Sequence, residues 1–218
     1  MKEIYCISGL GADERIFGKL DVPGVQLRFV KWIQPLQEES ISSYASRLCA
    51  QIPVTNPALA GVSFGGMMAI EIAKLHPASS VILISSIKTR NEVPRWMKSC
   101  GHFRLDKVLP SQSLASYPAL KLIRPLQNYF LGVQSPEEKK IANEYRDAVD
   151  PVYLKWAINQ VLNWQNEWLP EKVLHLHGAN DHIFPAKKIK GAKIIPEGGH
   201  FMIMNRYQQI SEFIVRSL

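Results

Sequence analysis

Residues 58–75, ALAGVSFGGMMAIEIAKL, indicate the fold of this chain more strongly than any other stretch. The first five residues, Ala58–Val62, are small and apolar and predict a buried strand. The composition of Phe64–Leu75 is helical, and a proline follows two residues later. At the junction, residues 61–65 form a Gly-x-Ser-x-Gly pattern, which is typical of a strand that turns sharply into a helix.

The serine of this pattern, Ser63, is the predicted nucleophile. A sharp strand-to-helix turn forces it into a strained conformation, and the neighbouring glycines remove Cβ atoms that would clash there. The turn presents the hydroxyl beside a helix N-terminus, whose free N–H groups favour developing negative charge. The alternative is a glycine-rich turn that only packs the helix on the strand.

Units of a short apolar run, a turn and a helical pattern recur along the chain and predict an α/β fold. Near-continuous apolar runs, such as 81–85, are expected where helices cover both faces of a parallel sheet. We therefore expect a mostly parallel central sheet of about six strands flanked by helices. The predicted strands are 4–8, 25–31, 58–62, 81–85, 173–176 and 193–195, and the predicted core helices are 42–52, 64–75 and 201–217.

Residues 87–168 interrupt this pattern. Strand-like runs are absent there, and prolines separate segments with helical periodicity. Ser135-Pro136-Glu137-Glu138 is a strong helix start, and residues 152–164 form a second amphipathic stretch. We predict an α/β core of residues 1–86 and 169–218 with a helical cap, or lid, inserted over residues 87–168.

A nucleophilic serine needs a general base, and the base needs an acid that orients it. His200 follows the last predicted strand in a glycine turn and is the best candidate for the base. Asp181 follows the strand at 173–176, and the order Ser63, Asp181, His200 matches one known triad class. The alternative for Asp181 is an ordinary Asx turn. Four of the other five histidines are interpreted as a helix cap (His76), a packed core residue (His175), a surface or lid residue (His182) and a residue without a nameable partner (His102).

The loop after the first strand, Ser8-Gly9-Leu10-Gly11-Ala12-Asp13, is expected to complete an oxyanion hole. The donors would be the backbone N–H groups of Leu10 and of Phe64. A dinucleotide-binding fingerprint is the alternative for this loop, but its third glycine is missing because position 14 is glutamate. No cofactor is therefore expected.

Four segments together resemble the α/β-hydrolase-fold family, in particular its small, lid-bearing esterases and acyl hydrolases. They are the Gly9-Leu10 loop, the turn at Ser63, the loop 177–185 and the Gly199-His200 turn. The resemblance covers nearly the whole chain and implies a catalytic triad of Ser63, His200 and Asp181. Ser8 stands where the family usually has histidine, which removes an expected brace of the first loop. The first two strands of the full family sheet have no counterpart, so we expect a sheet trimmed at the N-terminal side.

The expected reaction is hydrolysis of a carboxylic ester or related acyl bond of a small molecule through an acyl-enzyme. Thioester, amide and carbon–carbon cleavage use the same triad and stay open as variants. A non-catalytic ligand-binding protein on the same fold is the alternative from another class. The aromatic residues of 87–168 either line an apolar pocket or form the core of the cap.

The formal net charge of +7 arises from 26 Lys+Arg and 19 Asp+Glu, and it is concentrated in one segment. Residues 87–124, which we call the basic segment, contain eight basic and two acidic side chains, a net charge of +6. The segment either attracts anionic substrates or is a solvated cap surface. No nucleic-acid partner is expected, because no stacking platform or recognition motif accompanies the charge.

The cysteines Cys6, Cys49 and Cys100 are far apart and lack metal-ligand spacing, so neither a disulfide scaffold nor a metal site is expected. The N-terminal apolar run is too short for a signal peptide. The uncharged stretch 48–70 contains two prolines and makes a poor membrane helix. We expect a cytoplasmic protein without a membrane partner, and the oligomeric state stays open.

Overall fold

A six-stranded sheet forms the centre of the computed structural model, which describes residues 2–103 and 121–217. Every pair of neighbouring strands is parallel, which confirms the predicted fold class. The strands are β1 (Lys2–Ile7), β2 (Val25–Val30), β3 (Ala58–Val62), β4 (Ser80–Ile84), β5 (Val173–Gly178) and β6 (Lys193–Ile195), in the order β2-β1-β3-β4-β5-β6.

The register of the sheet aligns the ends of its central strands. Ile7 at the end of β1 pairs with Gly61 of β3, and Ile84 at the end of β4 pairs with Leu176 of β5. Because the strands are parallel, their carboxyl ends lie along one edge, where ligands bind in open α/β sheets. The loops after β1, β3, β5 and β6, which carry the predicted site residues, leave the sheet at this edge.

The helices flank the sheet and also fill the interval between β4 and β5. The predicted closing helix over 201–217 is divided at Arg206, whose φ of −125° lies outside the helical range. The helices of the described residues are α1 (Ile41–Leu48), α2 (Phe64–Leu75), α3 (Arg95–His102), α4 (Arg124–Leu131), α5 (Pro136–Ala148), α6 (Pro151–Asn163), α7 (Met202–Asn205) and α8 (Tyr207–Ser217).

Side chains of the central strands alternate between the two faces of the sheet. On β4, Val81 and Leu83 belong to the core on the side of α1 and α2, whereas Ile82 and Ile84 belong to the core that includes α7 and α8. All five residues of β4 are buried, as expected for a strand covered on both faces. The strand ends are therefore held between two packed layers.

Residues 87–168 lie between β4 and β5 in the chain, and those that the structure describes form α3 to α6 without a strand. Two indole groups attach this part to the core. Nε1–H of Trp156 donates to the carbonyl oxygen of Glu39 at 2.7 Å, and Nε1–H of Trp164 donates to the carboxylate of Glu71 at 2.7 Å. No helix in residues 2–103 and 121–217 has the length and apolar character of a membrane span.

Candidate active site

Ser63 lies in the tight turn between β3 and α2 with a φ of 54° and a ψ of −119°. A residue other than glycine keeps such dihedral angles only where its surroundings hold it. The N–H of Ser63 donates to the carbonyl oxygen of Ile84 at 3.0 Å, and the hydroxyl of Ser86 donates to the carbonyl oxygen of Ser63 at 2.6 Å. The end of β4 and the residues after it therefore hold both backbone polar groups of the strained serine.

Gly65 is required by the close approach of α2 to the end of β1. A Cβ atom at this position would lie 2.2 Å from the carbonyl oxygen of Ile7 and 2.3 Å from that of Ser8. Both distances are far shorter than van der Waals contact. The first turn of α2 therefore packs directly on the backbone that leads into the predicted oxyanion loop.

Three side chains from distant parts of the chain form one hydrogen-bonded series. Oγ of Ser63 lies 2.8 Å from Nε2 of His200, and Nδ1 of His200 lies 2.8 Å from Oδ2 of Asp181. Because an ionised carboxylate only accepts, Nδ1 of His200 carries the proton and Nε2 presents a lone pair to the hydroxyl of Ser63. An imidazole with a lone pair at this distance from a hydroxyl can act as a general base towards it.

The Asp181 side chain is fully buried and surrounded by donors. Oδ1 accepts the backbone N–H groups of Ile183 and Phe184 at 2.9 and 2.8 Å. Burial alone would raise the pKa of Asp181, but the charge and hydrogen bond of His200, with smaller contributions from His177 and Phe184, outweigh it and lower the pKa below its usual value. Asp181 is thus ionised at neutral pH and holds the orientation of the imidazole.

The loop after β1 forms a tight turn beside Phe64. The N–H of Ala12 donates to the carbonyl oxygen of Gly9 at 3.1 Å, and the third residue of the turn, Gly11, has the positive φ of 71° that a type II turn requires. The hydrogen bond of the turn does not use the N–H of Leu10, its second residue. Phe64 begins α2, so its N–H has no acceptor within the helix. Leu10 and Phe64 line one cavity.

Ser8, at the position where histidine was expected from the resemblance, braces this turn. Its hydroxyl donates to the carbonyl oxygen of Ala12 at 2.7 Å and accepts Nε1–H of Trp32 at 2.9 Å. The ring of Trp32 also stacks on Phe64 with centroids 5.3 Å apart. Sequence reasoning missed Trp32, which carries no motif and lies two residues beyond β2.

A cavity of about 520 Å³ opens at these residues and is lined mainly by apolar groups. Its walls combine the loops at the sheet edge with α3, α5 and α6 of the segment 87–168. The core contributes Leu10, Ser63, Phe64, Ile183, Phe184 and His200, and the segment contributes Trp96, Met97, Cys100, Tyr145, Arg146, Leu154, Ile158, Val161 and Leu162, among others.

No protein-family model matches the chain, and no curated protein matches it. Solved structures match it over nearly its full length. A hydrolase from Pseudomonas aeruginosa has a TM-score of 0.71 at 13% identity, over 99% of this chain and 89% of the other. An esterase from Thermogutta terrifontis has a TM-score of 0.69 at 15% identity, over 99% and 89%. A bromoperoxidase from Bacillus anthracis has a TM-score of 0.69 at 15% identity, over 99% and 91%.

The chain has the α/β-hydrolase fold. At these identities the similarity establishes the fold alone, and the named activities of the matching proteins include both esterase and bromoperoxidase. The reaction of this α/β-hydrolase-fold chain therefore has to be argued from its own site.

The site on this α/β-hydrolase fold also includes His177, a second buried histidine that sequence reasoning did not single out. Its Nε2–H donates to the carbonyl oxygen of Phe184 at 2.7 Å and lies 3.4 Å from Oδ2 of Asp181. Burial lowers the pKa of His177 despite the nearby charge of Asp181, so the ring is neutral and Nδ1 is unprotonated. His177 thus fixes the loop that carries Asp181. The only sequence signal was its position directly before that loop.

The other described histidines have separate contacts. Nε2 of His175 lies 3.2 Å from the carbonyl oxygen of Ser86, and Nδ1 lies 3.1 Å from Nζ of Lys88. Burial, with smaller effects from Lys88 and His177, lowers the pKa of His175 to about 3. His76 contacts the carbonyl oxygen of Val54, His102 the ring of Phe103, and His182 the ring of Tyr129.

Several basic side chains of the basic segment form ion pairs or hydrogen bonds with other groups of the protein. Lys88 forms an ion pair with Glu92 at 2.8 Å, and Arg124 forms one with Asp147. Arg90 donates to the main-chain carbonyls of residues 162 and 164. Arg95 and Lys98 lie on α3 and are not among the cavity-lining residues, and Arg104 and Lys107 lie outside the described residues.

Proposed function

We propose that this protein is a serine hydrolase that cleaves a carboxylic ester or related acyl bond through an acyl-enzyme. The observation that carries this proposal is the series Ser63–His200–Asp181, with both contacts at 2.8 Å. The strained turn at Ser63, the lowered pKa of Asp181 and the access of Ser63 to an apolar cavity support it.

In the first half-reaction, Oγ of Ser63 attacks the acyl carbonyl carbon while its proton passes to Nε2 of His200. Asp181 stabilises the imidazolium that forms. The N–H groups of Leu10 and Phe64 donate to the carbonyl oxygen as it becomes an anion. His200 then protonates the leaving oxygen, the bond to the leaving group breaks, and the acyl group stays on Ser63.

In the second half-reaction, a water molecule gives a proton to His200 and attacks the acyl-enzyme carbonyl. The same two N–H groups stabilise the second oxyanion. When this intermediate collapses, the proton on Nε2 returns to Oγ of Ser63, and the carboxylic acid is released. No net oxidation occurs, and the enzyme returns to its initial protonation state.

In the proposed enzyme, residues 87–168 act as a cap over the site. Its helices share the walls of the cavity with Ser63, and the end of α4 contacts the histidine loop, because the N–H of Phe201 donates to the carbonyl oxygen of Leu131 at 2.8 Å. The cavity size and lining favour esters with small or medium acyl groups. A cytoplasmic location and the absence of a nucleic-acid partner stay predictions from the sequence.

Covalent labelling tests the proposal directly. A fluorophosphonate probe should label the native protein stoichiometrically at Ser63, and Ser63→Ala should lose both the label and ester hydrolysis. Ser42→Ala removes an exposed serine hydroxyl from α1 and should keep both. If the folded native protein takes no label, the hydrolase proposal is wrong and the ligand-binding alternative gains support.

A series of p-nitrophenyl esters with increasing acyl length then measures the depth of the cavity. We expect kcat/KM to rise with chain length while added methylenes are buried and to fall once the chain exceeds the cavity. Labelling of Ser63 without hydrolysis of any ester in the series would contradict the ester substrate and leave the carbon–carbon variant of the same triad.

A further inference from the structure

The cavity beside Ser63 contains one permanent charge among its described lining residues, the guanidinium of Arg146 on α5. No carboxylate is among the described residues that line it. The hydroxyl of Tyr145, the next residue, is already committed, because it donates to Oδ1 of Asp13 at 3.1 Å. A half-buried cation in an apolar cavity is costly unless something compensates it.

Among the described residues, the groups that hold Arg146 are neutral. Nη1 donates to Oδ1 of Asn143 at 2.9 Å, and Nη2 donates to Oδ1 of Asn128 at 2.7 Å. Within residues 2–103 and 121–217, no carboxylate lies at ion-pair distance from Arg146, and the neighbouring Asp147 pairs with Arg124 instead. Burial and the charge of Arg124 lower the pKa of Arg146, but a guanidinium stays charged at any physiological pH.

Arg15, another arginine beside α5, is paired with described carboxylates, unlike Arg146. Its guanidinium lies 2.9 Å from Asp13 and 2.9 Å from Glu144, so two carboxylates neutralise it. Arg146 has no such carboxylate partner in the part of the chain that the structure describes, and its two bonds to amide oxygens use two of the five guanidinium N–H donors. Asn128 and Asn143 thus orient the side chain of Arg146, while its other N–H donors and its positive charge stay available to a ligand.

We propose that Arg146 binds a carboxylate of the substrate, at the end of the molecule remote from the bond that Ser63 attacks. This inference rests on the proposed function, because it names the substrate class of the same site. A planar guanidinium matches a carboxylate by two parallel N–H···O bonds. Apolar walls between the two polar ends suit a methylene chain, so the substrate class is an ester of a dicarboxylic acid or of an ω-hydroxy acid.

Matched ester pairs test this substrate class. One series consists of p-nitrophenyl monoesters of dicarboxylic acids, and the other of acetate esters of ω-hydroxy acids, each with a neutral primary-amide counterpart of equal length. In at least one series we expect the native protein to prefer the carboxylate over the amide by about 10- to 100-fold in kcat/KM. Preference in neither series overturns the proposal, even if neutral esters are hydrolysed.

Three variants test whether Arg146 causes the preference for the carboxylate over the amide. Arg146→Gln should reduce the ratio of carboxylate to amide to less than about 3-fold, and Arg146→Lys should keep an intermediate ratio because charge remains without the fork. Arg95→Gln removes an equal charge from an exposed position on α3 and should keep the native ratio. An equal loss of preference in Arg95→Gln would attribute it to the general field of the basic segment and contradict the role of Arg146.

A binding measurement separates this inference from the proposed reaction. Calorimetry with Ser63→Ala should detect the half-amides of succinate, glutarate, adipate or pimelate, which carry one carboxylate, more strongly than the uncharged diamides of equal length, and Ser63→Ala/Arg146→Gln should lose the difference. This result stands even if fluorophosphonate labelling fails and the hydrolase proposal falls. Equal binding of half-amides and diamides at every length, in a folded protein that does label, overturns the carboxylate site alone.

Discussion

The core that carries the candidate triad and the segment 87–168 that covers it are built from different kinds of contact. In the core, backbone groups hold Ser63, which bonds to Ile84, and Asp181, which accepts two consecutive N–H groups. In the segment, side chains such as those of Trp156 and Trp164 make most of the described attachments to the core, beside the backbone bond from Phe201 to Leu131. Backbone contacts survive most substitutions, whereas side-chain contacts change with each one. We therefore expect substitutions in the segment to alter the cavity more than the geometry of the candidate triad.

Helices of the two parts also differ in how many of their residues are buried. In α2, ten consecutive residues from Phe64 to Ala73 are buried, whereas α4 buries only Asn128. A helix with so little buried surface opens at lower free energy than one enclosed by the sheet. We therefore expect α4 to tolerate change more readily than α2 without displacing Ser63.

The largest expected effect comes from Asp181→Asn, which tests the core. An asparagine amide can donate to Nδ1 of His200 and so reverse the tautomer, which leaves no lone pair at Nε2 for Ser63. We expect kcat to fall by about 10⁴-fold with little change in the thermal midpoint. Asp150→Asn makes the same change at the N-cap of α6, where asparagine caps as well as aspartate, and should keep kcat within about 2-fold. Similar rates for the two variants would contradict the role assigned to Asp181.

Gly65→Ala should produce the next largest effect, this time on stability. Its Cβ would overlap two carbonyl oxygens at the end of β1, and the free energy of unfolding should fall by about 3 kcal/mol in urea titrations. Gly24→Ala is the matched control, because Gly24 has a φ of 77° and nothing within 4 Å of the added atom. It should cost only about 1 to 2 kcal/mol of backbone strain. A larger loss in Gly24→Ala would mean that the packing at the Ser63 turn is not tight.

Trp156→Phe tests the attachment of the segment and should have a smaller effect. It leaves the carbonyl oxygen of Glu39 without its indole donor, which costs about 1 to 3 kcal/mol locally. Because the triad is held by the core, we expect KM for longer esters to rise several-fold while the labelling rate of Ser63 by a small phosphonate stays unchanged. Trp168→Phe, at a ring that is 44% exposed, should change neither quantity. A parallel fall in labelling would show that core and cap are not separable.

The smallest effect is an acid sensitivity that originates in the core. The pKa of His175 is about 3 in the folded state against an ordinary value of 6.5, so the unfolded chain takes up a proton that the folded chain refuses. Its contribution to stability is complete above pH 6.5 and is lost as the pH falls towards 3. Between pH 7 and pH 6 the loss should be below about 1 kcal/mol. His175→Gln should flatten this part of the stability curve in urea titrations, and an unchanged slope would contradict the assignment.

Features that depend on neighbours in the chain could be predicted from the sequence. The strand Ala58–Val62 and the helix Phe64–Leu75 have in the structure the bounds that the sequence indicated. Ser135 begins α5 as its composition suggested, since its hydroxyl oxygen accepts the N–H of Glu138 at 3.1 Å. Caps, turns and apolar runs are local, so one stretch of sequence contains all of their causes.

Contacts between distant residues that belong to no motif could not be predicted. Ser86, which holds the carbonyl oxygen of Ser63, is 23 residues away from it, and Trp32, which donates to Ser8, is 24 residues away. Neither belongs to a motif. Their roles arise from the order of the strands, because β2 and β4 flank the strands that carry the site.

The sequence by itself determined the parallel sheet, the turn at Ser63 and the order of the candidate triad residues, because periodicity and turn chemistry act over a few residues. The tertiary structure decided which cation faces the cavity. The net positive charge is concentrated in residues 87–124, yet the one permanent charge among the described lining residues is Arg146, outside that segment. A count of charges does not say where the charged side chains point. The packing of a helix decides which of its side chains faces the cavity.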